Sequence, residues 1–159
     1  MDGRHCQVNA LLIRLEEIRQ QEEAHGKVAK GKRILVVDDS PTVRKLISGK
    51  LVKCGHEVIC SNDGVEAMEK IESLVPDLVL LEITMPRMDG YQVCKLLRAK
   101  AETKDVPIVI ISGKDGFFDK VRGRMAGTTG YITKPFGPET LIKAVEMYLS
   151  GHVDEDMHR

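Results

Sequence analysis

From Lys32 onward, short unbroken apolar runs alternate with longer stretches whose apolar residues recur every three or four positions. Ile34-Leu35-Val36-Val37 is a continuous β-prone run, the pattern of a strand covered on both faces. Ser40 suits an N-cap and Pro41 a first helical turn, and the helix they open carries Val43, Leu46, Ile47 and Leu51 to a Gly55 stop. His56 to Cys60 predicts a short strand. Val65, Ala67, Met68, Ile71 and Leu74 mark a second helix, closed by Pro76. Leu78 to Leu81 is a third buried strand. It leads through the turn MPRMDG into a helix with Val93, Leu96 and Leu97 inward, where Asp89 is placed to cap. Ile108 to Ile111 predicts a fourth strand, Tyr131-Ile132 a fifth, and Pro138 to Leu149 a final helix. A further helix, interrupted by Gly123, is expected within Phe117 to Ala126.

Ahead of this alternation, Val8, Leu11, Leu12, Leu15 and Ile18 recur at helical spacing, with Arg14, Glu16, Glu17 and Arg19 mostly on the other side, predicting an amphipathic helix. QQEEAHGKVAKGK follows as a polar, glycine-punctuated linker. The expected organisation is an N-terminal helix and linker over residues 1–31, one domain over 32–150 and an acidic tail over 151–159. Strand and helix alternating five times imply parallel strands joined by right-handed crossovers, an α/β doubly wound five-stranded parallel sheet with helices on both faces in three layers, α/β/α. Sites in such sheets form beyond the carboxyl ends of the strands, so the residues that matter should terminate strands.

Composition narrows the classes. The chain has 159 residues, 42% of them apolar, enough for one ordinary core. Lys plus Arg equals Asp plus Glu at 24 each, so the whole chain projects no field toward nucleic acid or membrane. With no Trp and 4% aromatics it offers few stacking platforms for single-stranded nucleic acid. No stretch approaches the about 20 apolar residues that span a bilayer, and MDGRHCQVN lacks an apolar signal core, which predicts a cytoplasmic protein. Cys6, Cys54, Cys60 and Cys94 show neither C-x-x-C nor a His/Cys ligand spacing and read as free thiols.

Five polar residues fall at the predicted strand ends: Asp38 and Asp39 after the first, Glu82 after the third, Ser112 after the fourth and Lys134 after the fifth. Any one is ordinary loop chemistry. Together, three carboxylates at one rim repel unless a hard divalent cation or an ammonium balances them, and Lys134 supplies a single charge.

The motifs VVDDSPTVR, LVLLEITMPRMDG, VIISGKDG and GYITKPF, in that order, resemble the bacterial response-regulator receiver family of two-component and chemotaxis signalling. FFDKVRGRMAGTTGYITKPF resembles the stand-alone receivers of twitching-motility and chemotaxis-like pathways. The resemblance implies a flavodoxin-like sheet of strand order 2-1-3-4-5. It implies Asp38, Asp39, the residue at 82 and the Thr84 carbonyl as a weak Mg²⁺ site, and Ser112 and Lys134 as the groups that hold a phosphoryl group. Tyr131 becomes the aromatic whose rotamer follows the hydroxyl, and Lys134-Pro135 a cis bond. The implied partners are a sensor histidine kinase or phosphotransfer protein and a downstream target met by the face around the fifth strand. No direct nucleic-acid or membrane partner and no enzymatic activity is implied.

Glu82 departs from the family, which has aspartate as phosphoacceptor there. Glutamate keeps the charge but moves the carboxylate by about 1.5 Å, one carbon–carbon bond. In-line transfer depends on position, and a misplacement of this order costs ~10²-fold or more. The longer arm is expected to project charge toward Ser112 and Lys134, an incomplete mimic of a phosphorylated state. Three origins stay open: a receiver signalling without phosphate, a conventional receiver carrying an engineered Asp-to-Glu change, and residual phosphorylation of Glu82 itself. The rival class, a flavin- or nucleotide-binding enzyme on the same fold, lacks a G-x-G-x-x-G or P-loop after the first strand. For the N-terminal helix, packing on its own domain competes with homodimerisation or partner docking. The histidines receive no catalytic role.

Overall fold

The computed structural model describes residues 10–17, 31–113, 121–122 and 126–151. The expectations for Val8, Ile18, the linker, the acidic tail and residues 117–120 and 123–125 of the helix within Phe117 to Ala126 lie outside the described residues. In chain order the domain comprises β1 (Arg33–Val37), α1 (Pro41–Lys53), β2 (Glu57–Ser61), α2 (Gly64–Ser73), β3 (Leu78–Leu81), α3 (Gly90–Ala99), β4 (Ile108–Ser112), β5 (Gly130–Thr133) and α4 (Pro138–Leu149). The five strands are parallel in the order β2-β1-β3-β4-β5, the sheet predicted.

Continuous apolar strands are needed because both faces are covered. Leu35, Val37, Val79, Leu81, Ile108 and Ile110 point to one face, where Ala67 and Ile71 of α2 and Val93, Cys94 and Leu97 of α3 pack. Ile34, Val36, Leu78, Leu80, Val109 and Ile111 point to the other, against Ile47 and Leu51 of α1 and Leu141, Val145 and Tyr148 of α4. Side chains alternating across each strand thus feed two separate cores.

Local chemistry sets the ends. Ser40 Oγ accepts the Val43 amide at 3.4 Å, with Pro41 in the first turn of α1. Asp89 and Gln92 close a capping box at the start of α3. Gly55 takes φ +90° at the turn out of α1. The expectation of a strand from His56 is corrected by one residue: the His56 amide donates back to the Leu51 carbonyl at 3.2 Å, so ladder pairing starts at Glu57 and extends to Ser61. β5 is longer than its apolar pair, because Gly130 and Thr133 also pair with β4.

Residues 10–17 are helical, and every one of them is exposed. Leu11, Leu12, Ile13 and Leu15 all present large apolar area to solvent, so packing on its own domain, homodimerisation and partner docking stay open for this helix. The amphipathic pattern specifies a stripe to be covered and carries no information about what covers it.

Candidate functional site at the carboxyl ends of the strands

Sheet register assembles the rim. Val37 pairs with Leu81, so Asp38 and Glu82 leave β1 and β3 side by side, with the Glu82 amide on the Val37 carbonyl at 2.9 Å. Ser112 pairs with Thr133, and the Lys134 amide donates to the Ser112 carbonyl at 2.9 Å. The Lys134-Pro135 bond is cis.

The side chains converge on Glu82. Lys134 Nζ donates to Glu82 Oε2 at 2.7 Å and to Asp38 Oδ2 at 3.0 Å. Ser112 Oγ donates to Glu82 Oε1 at 3.2 Å, and the Thr84 amide reaches the same oxygen at 3.3 Å. Asp38, Glu82 and Ser112 are buried. Asp38 Oδ1 accepts the Ser40 amide at 2.8 Å, and Arg44 Nη1 donates to the Asp38 carbonyl at 2.5 Å. Burial works against the Lys134 charge, but the hydrogen bonds it donates to Glu82 and Asp38 more than offset it and raise its pKa above that of an ordinary lysine.

Of the residues predicted for this site, Asp38, Glu82, Ser112, Lys134 and the Thr84 backbone meet directly. Asp39 follows Asp38 but is exposed. Tyr131 lies on β5, partly buried against the core face that holds α2 and α3. The oxygen-only donors offered by Asp38, Asp39, Glu82 and Thr84 fit a hard divalent cation in chemical type. Their arrangement here is dominated by Lys134, which holds one oxygen of Asp38 and one of Glu82. Among the described residues no three acidic, His or Cys side chains gather into a metal-binding group.

Sequence reasoning missed a second contact beside the rim. Asp63 caps α2 through the Glu66 amide at 2.9 Å and accepts Arg87 Nε at 3.0 Å and Arg87 Nη2. These bonds, first the backbone one and then Arg87, lower the Asp63 pKa. Arg87 holds a left-handed φ of +67°, which a non-glycine residue adopts at a cost. This ion pair ties the β3–α3 loop, which includes Thr84, to the start of α2. The only local signal for it was an Asp-Gly pair suited to an N-cap. Gly90 completes the loop: a Cβ there would meet the Glu82 carbonyl and lie 2.9 Å from Ile83 Cα, so the loop backbone packs directly against the residue that bears the central carboxylate.

Residues 34–146 match the response regulator receiver domain model. Protein PilG of Pseudomonas aeruginosa is 39% identical over 126 residues, covering 79% of this chain and 93% of its own. The chemotaxis protein CheY4 of Vibrio cholerae superposes with a TM-score of 0.71 at 34% identity, over 73% of this chain and 97% of that one. The receiver domain of a sensor histidine kinase from Pseudomonas aeruginosa, solved with magnesium coordinated in its active-site cleft, has a TM-score of 0.71 at 27% identity, over 76% of this chain and 99% of its own. With the 2-1-3-4-5 sheet and a polar rim at the carboxyl ends of its strands, the chain belongs to the response-regulator receiver-domain family and is a receiver of two-component, chemotaxis-type signalling.

Proposed function

We propose that this receiver signals by protein binding in a state set by the Glu82 carboxylate rather than by a transferred phosphoryl group. The observation that carries this reading is the double engagement of that carboxylate, with Ser112 Oγ on one oxygen and Lys134 Nζ on the other. Glu82 stands at the phosphoacceptor position, and Ser112 and Lys134 are the groups that would hold a phosphoryl group. A carboxylate already resting on both supplies standing negative charge where a phosphoryl oxygen would sit, though with less charge and fewer acceptors. The extra carbon–carbon bond that lets Glu82 reach them also displaces it as a nucleophile.

In this reading Asp38, Asp39, Glu82 and the Thr84 carbonyl bind Mg²⁺ weakly, and Tyr131 reports the state of Ser112 to the surface around β5. The cation would supply positive charge at the rim, where the chain itself supplies the Lys134 ammonium shared by Asp38 and Glu82. The functional unit is residues 32–150, separate from the 1–31 segment and the tail. It performs no reaction on a small-molecule substrate. Its partners are a histidine kinase or phosphotransfer protein on the input side and a protein target on the output side, in the cytoplasm. Among the described residues no helix is long and apolar enough to cross a membrane.

The test reads Tyr131 by NMR in the full chain. Glu82→Gln should shift the Tyr131 ring and β5 amide resonances, and Glu82→Asp should show a shift that reverses on adding acetyl phosphate and Mg²⁺. Tyr131 resonances identical in all three proteins would rule the reading out.

A further inference from the structure

Among the described residues, two apolar surfaces lie open to solvent. One is the helical segment over residues 10–17, where Leu11 is 61% exposed and Leu12 and Leu15 also keep more than half their surface in solvent. The other is a groove of about 410 Å³ between α1 and the β5–α4 connection, lined by Val43, Leu46, Ile47, Lys134, Pro135 and Phe136. Leu46, beside it, is 59% exposed. Leaving both in water forfeits on the order of 1.5–3 kcal/mol for each large side chain that could be buried.

We propose that the chain's own N-terminal helix docks into this groove, setting Leu11, Leu12 and Leu15 against Leu46 and Phe136. Reach permits it. Fifteen residues, 18–32, lie between the helical segment and β1, and a chain of that length spans at most about 50 Å. A domain of this size has a radius of gyration of only about 14 Å, so no part of its surface is out of range. Charge favours it. α1 carries Arg44, Lys45, Lys50 and Lys53 and no acidic residue, whereas the helical segment carries Glu16 and Glu17 against the single Arg14. Concentration selects the occupant. A short tether presents its helix at an effective concentration on the order of millimolar, so at micromolar protein the attached copy outcompetes a second chain. Since Lys134 lines the groove and also bonds Glu82 and Asp38, docking and the state of the rim are coupled through one side chain.

The experiment uses the full chain, with methyl NMR of Val43 and Leu46 and light scattering. Leu12→Asp with Leu15→Asp should shift both methyl signals, and the starting protein should be monomeric with methyl shifts independent of concentration. Leu46→Lys is the reciprocal variant and should speed amide exchange of residues 11–16 several-fold without changing that of β1 or β3. Methyl signals unchanged by the helix variant would overturn the proposal. So would a shift that tracks protein concentration, which would assign the groove to a second copy, or one that arises only on adding another protein.

Discussion

Glu82 Oε2 lies 2.7 Å from Lys134 Nζ, and the same ammonium lies 3.0 Å from Asp38 Oδ2, so one cation serves two carboxylates that leave neighbouring strands. That contact is the electrostatic hinge of the rim. Its geometry follows from two parallel pairings, β1 with β3 and β4 with β5, and from nothing local to either residue.

Removing the cation should therefore cost more than a surface ion pair would. Lys134→Met leaves two buried carboxylates facing each other, for which breaking a buried pair suggests 3–5 kcal/mol. Since the Lys134 side chain is 27% exposed, solvent screening lowers the expectation to about 2 kcal/mol. Mg²⁺ should recover part of that loss in Lys134→Met and stabilise the starting protein less. Urea unfolding of both proteins with and without Mg²⁺ checks this, and equal Mg²⁺ effects would contradict the metal assignment.

His56 predicts a pH dependence on the acid side of neutrality. It is buried, its Nδ1 has no hydrogen-bond partner among the described residues, and burial lowers its pKa despite the opposing pull of Glu146. A folded pKa below the unfolded one means that the unfolded chain takes up the proton first. The His56 contribution is then fully present above the unfolded value of about 6.5 and is lost as pH falls through the lower folded value. Thermal unfolding of the starting protein should weaken between pH 7 and 5 by more than that of His56→Phe.

Gly90→Ala should disturb the site through the backbone. The added Cβ meets the Glu82 carbonyl and the Ile83 backbone rather than a movable side-chain end. Overpacking of this kind costs about 1–3 kcal/mol. Gly49→Ala, on α1 with open space around its Cβ, is the control and should be neutral or stabilising. Chemical denaturation of the two variants gives the comparison.

The sheet was legible because β1, β3 and β4 are unbroken apolar runs, and the rim because a parallel sheet sends every strand's carboxyl end to one edge. Asp38, Glu82, Ser112 and Lys134 could be read as neighbours from that topology alone. The Asp63–Arg87 pair could not, since its partners are 24 residues apart and the left-handed backbone at Arg87 is one that residue type seldom marks. The start of β2 was misread at His56 because a turn hydrogen bond to Leu51 outweighs strand propensity there. The N-terminal stripe showed the need for a cover without naming it.

The central claim is that Glu82 holds Ser112 and Lys134 by its own charge and accepts no phosphoryl group at a useful rate. The direct measurement is intact-mass analysis of the starting protein and of Glu82→Asp after incubation with acetyl phosphate and Mg²⁺. The account predicts that Glu82→Asp gains one phosphoryl group while the starting protein stays essentially unmodified, at least ~10²-fold slower. Rapid labelling of the starting protein at Glu82 would contradict it.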